Sequence, residues 1–132
     1  MIKRISVSTK ARTELVDITS KVAGLIRESK VRSGVCHIFV PHTTAAVTIN
    51  ENADPSVGRD ILKGLERIAP FEGAYEHTEG NAAAHIKSTI VGTDKTVFIE
   101  QGEVELGTWQ GIFFCEFDGP RQRSVFVRIT EK

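Results

Sequence analysis

AHIKSTIVGTDKTVFIEQGEVELGTWQGIFFCEFDGPRQRSVFVRIT, residues 84–130, is the stretch on which the fold turns. Five runs rich in β-branched and aromatic residues follow one another in it, at 84–91, 96–100, 103–106, 108–117 and 124–130. Gly92, Gly102, Gly107 and Gly119 stand between them and mark the turns. Short strands joined by tight turns pair antiparallel, because parallel neighbours need a long crossover. The second half of the chain therefore predicts an antiparallel sheet.

Working outward, residues 2–8 (IKRISVS) alternate apolar and polar and predict a half-buried strand, with a short second one at 14–17. Ile18, Val22, Leu25 and Ile26 recur at helical spacing. That predicts a helix over 18–30, with Asp17 or Thr19 capping its first amides. A third strand occupies 35–40 (VCHIFV), closed by Pro41, and a fourth occupies 45–49. Asp54 places a capping carboxylate before Pro55, a residue suited to the first helical position. Val57, Ile61, Leu62, Leu65 and Ile68 form the apolar stripe of a second helix over 55–68. Residues 69–81, rich in Gly, Glu, His and Thr without periodicity, read as a surface loop and a candidate lid. The whole predicts an α+β fold, an antiparallel β-sandwich-like core with two helices packed to one side, in one domain over residues 1–132.

Bulk properties narrow the function. A chain of 132 residues buries enough surface to fold without staples. Lys plus Arg and Asp plus Glu number 17 each, so no basic field draws the chain to nucleic acid. No apolar stretch approaches the roughly 18 residues of a membrane span, and no signal peptide precedes the first strand, so a cytoplasmic location away from membranes is expected. Cys36 and Cys115 lie inside apolar runs and read as small core residues. The glycine fingerprints of dinucleotide and P-loop sites are absent.

Four constellations carry possible chemistry. His42, Thr43 and Thr44 follow Pro41 where a strand meets a loop, a place from which an imidazole and two hydroxyls can be aimed into a cleft or merely satisfy a turn. Asn50, Glu51, Asn52 and Asp54 cluster at a helix start. Asp54 reads as the cap, while Asn50 and Glu51 lie upstream of any capping position. His77, His85 and Lys87 come next, and on the strand expected there His85 and Lys87 share a face. With His42 and Glu116 these histidines would offer three imidazoles and a carboxylate to one divalent metal, although no close zinc signature occurs. Finally, Glu116 shares a strand face with Phe114 and Asp118. There it is either a working acid with its pKa raised by burial or the partner of Arg121 or Arg123 in an ion pair. Trp109 either packs in the core or walls a heterocycle pocket.

Three segments, HTTAAVTINENADP from His42, NAAAHIKSTIVG from Asn81 and GEVELGTWQGIFFCEFDGPR from Gly102, resemble in order and spacing the YjbQ family, described as secondary thiamine-phosphate synthases. The resemblance covers nearly the whole chain and implies a compact β-rich domain that forms homotrimers. It places the family's polar pattern on His42, Thr43, Thr44, Asn50, Glu51, Asp54, Asp60, His77, His85, Lys87, Gly107, Trp109, Gln110 and Glu116. Asp118 and Arg121 follow as second-rank candidates.

The activity implied is the joining of hydroxymethylpyrimidine diphosphate to thiazole phosphate with loss of pyrophosphate. His42, His85, Glu116 and Lys87 would form the catalytic set. Thr43, Thr44, Asn50, Glu51, His77, Trp109, Gln110 and Arg121 would bind substrate. A divalent zinc or magnesium ion on His42, His85 and Glu116 would assist, with Lys87 and Arg121 on phosphate oxygens and Trp109 against a ring. Two rival readings remain. One is a non-catalytic trimeric module that holds a metal or a small anion, and the other is a structural trimer whose polar residues serve subunit contacts.

Overall fold

The computed structural model describes residues 1–132. In β8 (Gln122–Glu131) the positions Arg123, Val125 and Val127 are buried and those between them are not, which is the alternation of a strand with one face on a core. β8 pairs on one side with β1 (Ile2–Ser8) and on the other with β3 (Ser33–Phe39). β5 (Asp94–Glu100) and β6 (Glu103–Glu105) complete a five-stranded sheet of order β1-β8-β3-β5-β6. A second sheet has the order β2-β7-β4, from β2 (Glu14–Asp17), β4 (Ala45–Glu51) and β7 (Gln110–Glu116). Every pairing is antiparallel.

The two sheets face each other across the main core. Val7, Ile38, Ile99 and Val125 come from the larger sheet, Val47, Ile112 and Phe114 from the smaller, and Val22 and Ile26 from α1 (Thr19–Ser29). Each such aliphatic side chain contributes about 1.5–3 kcal/mol on full burial. The smaller sheet turns its other face to α2 (Pro55–Ile68) and α3 (Ala82–Val91), where Ala46, Cys115 and Phe117 meet Leu65 and Ala84. The layers thus run larger sheet, smaller sheet, helices, and the outer face of the larger sheet carries no helix. No helix is long and apolar enough to cross a membrane.

Most expected elements occur at their expected positions. Asp54 caps α2, its Oδ1 accepting the Ser56 amide at 2.9 Å, with Pro55 as the first helical residue. Asp17 Oδ1 accepts the Thr19 amide at 2.9 Å at the start of α1. Both cysteines are buried and free, and burial pushes Cys36 up to about 11 and Cys115 up to about 12, in keeping with inert core thiols.

One element differs, and the difference matters. Residues 82–91 form a third helix instead of the strand expected over 84–91. Three alanines favour the helix, and the buried positions Ala83, Ala84, Lys87 and Ser88 follow helical spacing. The β-branched Ile86 and Ile90 that imitated a strand are exposed. Small residues let α3 lie close on β4, and Ser88 Oγ donates to the Ala45 carbonyl at 2.6 Å. On a helix, residues two apart are separated by about 200°, so His85 and Lys87 do not share a face.

Candidate functional site

After β3 the chain crosses from the larger sheet to the smaller through residues 40–44, and His42 lies on that crossing. Its ring is held from the larger sheet, where the Ser124 amide donates to Nε2 at 3.0 Å. An amide donor needs the lone pair of Nε2, so the neutral ring carries its proton on Nδ1, which has no partner in the protein. Burial lowers the His42 pKa below the ordinary 6.5, and the guanidinium charges of Arg123 and Arg121 lower it further, against an opposing pull from Glu116. His42 is therefore a neutral donor near pH 7.

Behind it lies a buried polar knot. Glu116 is fully buried and its carboxylate is saturated. Oε1 accepts the Thr9 hydroxyl at 2.8 Å and Arg123 Nε at 2.9 Å, while Oε2 accepts the Asp118 amide at 2.9 Å and Arg123 Nη2. Arg123 Nη2 also donates to the Thr44 hydroxyl at 2.9 Å and to its carbonyl at 3.2 Å. Burial opposes ionisation of Glu116, but the donations from Arg123, the Asp118 amide and Thr9 outweigh it and hold the carboxyl below its ordinary value. Of the two readings of Glu116, the geometry gives the ion pair with Arg123. A raised, working acid is not what these contacts produce.

Two adjoining hollows, about 500 and 340 Å3, share His42, Thr43 and Thr93. Arg121, Arg123 and Thr44 line the first, and His85, Ser88 and Thr89 line the second. Arg121 is fixed by Asp118, whose carbonyl accepts Nε at 2.9 Å and whose Oδ2 accepts Nη2 at 3.1 Å. The same Oδ2 accepts Asn81 Nδ2 at 2.9 Å and so ties the start of α3 to the turn before β8. His77, on the 69–81 loop, sets its ring edge-on to His85 with centroids 5.3 Å apart and lies 3.3 Å from Glu79.

His42, Thr43, Thr44, His85 and Arg121 are thus brought together, with His77 beside His85. Glu116 and Asp118 stand behind them on Arg123 and Arg121, whereas Lys87, Asn50, Glu51, Trp109 and Gln110 lie elsewhere. Lys87 is buried between α3 and α2, its Nζ 2.6 Å from Glu66 Oε1, so it ties two helices and faces away from the cleft. Asn50, Glu51 and Gln110 sit at the far end of the β4–β7 ladder, which runs from Ala45↔Glu116 to Glu51↔Gln110. At the ordinary rise per residue that is about 20 Å from the cleft. Trp109 is there too, 64% exposed. Arg123, named beforehand only as an ion-pair partner, is the cleft residue missed. Its signal was a charged residue two positions before Val125, on the inward side of an alternating strand.

The trio His42, His85 and Glu116 does not fit a metal ion within one chain. Glu116 has no free oxygen, His42 keeps only Nδ1, and no three His, Cys, Asp or Glu side chains cluster as ligands.

Fold and cleft together define a class: a ββα-layered domain whose sheet-to-sheet crossing holds a neutral histidine among arginines and hydroxyls. Residues 3–132 match the family described as UPF0047 protein YjbQ-like. The chain belongs to that family. It is 53% identical over 129 residues to a UPF0047 protein of Methanocaldococcus jannaschii, covering 98% of this chain and 94% of that one. Identity to the UPF0047 protein YugU of Bacillus subtilis is 47%, covering 98% of each. A crystal structure of an uncharacterized YjbQ/UPF0047 protein from Clostridium acetobutylicum superposes with a TM-score of 0.95 at 50% identity, over 97% of this chain and 99% of that one. A protein of unknown function from Sulfolobus solfataricus gives 0.96 at 36% identity, over 100% and 97%.

Proposed function

We propose that the cleft around His42 binds a small phosphorylated metabolite and acts on it, with thiamine-phosphate formation as the reaction to test. One observation carries the reading: a neutral imidazole with a free Nδ1–H shares a cleft with the Arg121 guanidinium and the hydroxyls of Thr43 and Thr93. In the condensation, the C–O bond between the pyrimidine methylene and the diphosphate breaks, the thiazole nitrogen attacks the methylene carbon, and pyrophosphate leaves. Arg121 and the Nδ1–H of His42 would stabilise the leaving oxygens. Glu116 and Lys87 have no direct part in this scheme, and no step is assigned to a metal. The test is pyrophosphate release from the two substrates. Wild-type protein should release it and His42→Ala should lose at least about tenfold in rate, as expected when a hydrogen bond to developing charge is removed. Release that is absent, or indifferent to His42, would sink the reading.

Self-association as a homotrimer belongs to the same proposal. What supports it is the bare outer face of the larger sheet, where Phe98 is 65% exposed and where Phe39 and Ile2, each 46% exposed, line a groove of about 450 Å3. Phe39 lines both this groove and the cleft, so a neighbouring copy seated there would abut the site. The binding-module reading is favoured by a different observation. The charges near the cleft are already paired, Arg123 with Glu116 and Arg121 with Asp118, which leaves no free carboxylate among the lining residues to act as acid or base and so suits retention. That reading predicts stoichiometric anion binding without product.

A further inference from the structure

Arg123 is 5% exposed, yet its hydrogen bonds use only two of its three nitrogens. Nε and Nη2 are spent on Glu116 and Thr44, and Nη1 donates to nothing in the protein. Nor is Nη1 sealed in, since the single buried side-chain nitrogen or oxygen without a partner is Asn81 Oδ1. Arg123 lines the larger of the two hollows. A guanidinium held on two sides by a carboxylate and a threonine thus keeps Nη1 unspent, and with the side chain 3% exposed that nitrogen has a narrow opening on a residue that lines the hollow.

We propose that this free edge of Arg123 is the seat of a phosphoryl group, received jointly with Arg121 and the Nδ1–H of His42. The inference rests on the reading that the cleft takes a phosphorylated ligand, and it assigns where the anionic end sits. Ordinarily an exposed arginine must be ordered before it can bind an oxyanion. Here the ordering is already done, because Glu116 and Thr44 fix the plane and direction of the fork. Since Glu116 balances the charge of Arg123 and Asp118 that of Arg121, selectivity comes from directed donors more than from net field. Donors on three separate residues match the three terminal oxygens of a phosphoryl group better than the two of a carboxylate. Glu116 then has a function at the site without touching the ligand: it is a positioning residue for Arg123.

The experiment is a titration of inorganic phosphate into the intact wild-type protein labelled at arginine with 15N and 13C, following the side-chain Nη resonances. Saturable movement of Arg123 Nη1 is expected, reproduced by pyrophosphate and not by acetate at equal ionic strength. Arg121→Ala should weaken phosphate about tenfold while Arg123 still responds, and Arg123→Lys, if folded by circular dichroism, should weaken it by at least as much. Phosphate that binds by calorimetry without moving Arg123, acetate that moves it equally, or no saturable binding would overturn the assignment. Its failure is separable from that of the enzymatic reading. Pyrophosphate release with a silent Arg123 rejects this seat alone, whereas a responding Arg123 with no release from the two substrates rejects turnover alone.

Discussion

At Glu116 a candidate acid proves to be a fastened anchor. Glu116→Gln should destabilise the domain by about 3–5 kcal/mol, because it leaves the Arg123 charge buried without its partner. A denaturant series at pH 7 checks this. The pH dependence follows in sign: a carboxyl held below 4.5 in the folded state contributes fully above that value and loses its contribution as pH falls through the folded value. Wild type should therefore lose stability in acid, and the variant should lose less between neutral and acid pH. His42, held below 6.5, should titrate by NMR below the range of an exposed histidine and should cost stability as pH falls from about 6.5, since the unfolded chain binds the proton first. A His42 value at or above 6.5 would contradict the geometry. Both residues were legible as polar positions in the sequence, but their roles were not. The partners that decide the role of Glu116, Thr9 and Arg123, lie 107 and 7 positions away.

Among the elements, strand alternation, the Asp54-Pro55 cap and the α2 stripe were read directly from the chain because each is a local pattern. The stretch 82–91 misled because Ile86, Thr89, Ile90 and Val91 carry strand propensity while the alanines and the buried Lys87 decide the packing. Tertiary contact with β4 overrode local preference. The same scale yields a backbone prediction. Gly34 in β3 lies so close to β8 that an added methyl would collide with the Thr130 carbonyl oxygen. Gly34→Ala should open the β3–β8 ladder near its end and cost about 1–3 kcal/mol, measurable as a lowered melting temperature. Gly24→Ala on α1, where the added methyl meets open space, should instead be neutral or slightly stabilising.

At the scale of the whole molecule the proposal is assembly as a homotrimer. Sedimentation should show a trimer, and Phe98→Asp on the outer face should shift it toward monomer without unfolding the chain, since Phe98 lies outside the core. A wild-type monomer at all concentrations would remove the trimer from the proposal. The proposed assembly would bear on the site if a neighbouring copy brought to it Asn50, Glu51, Trp109 and Gln110, which stand about 20 Å away along β4 of their own chain.

The crossing through His42 has one more consequence. Its imidazole hangs on a backbone amide of one sheet while Thr44 hands the chain to the other, so whatever fills the cleft bolts two plates together across their seam. A true ligand should then announce itself as heat resistance before any chemistry is known. At a hundred times its dissociation constant it adds about 2.7 kcal/mol to the folded state, enough for a melting screen of phosphorylated metabolites to find it blind.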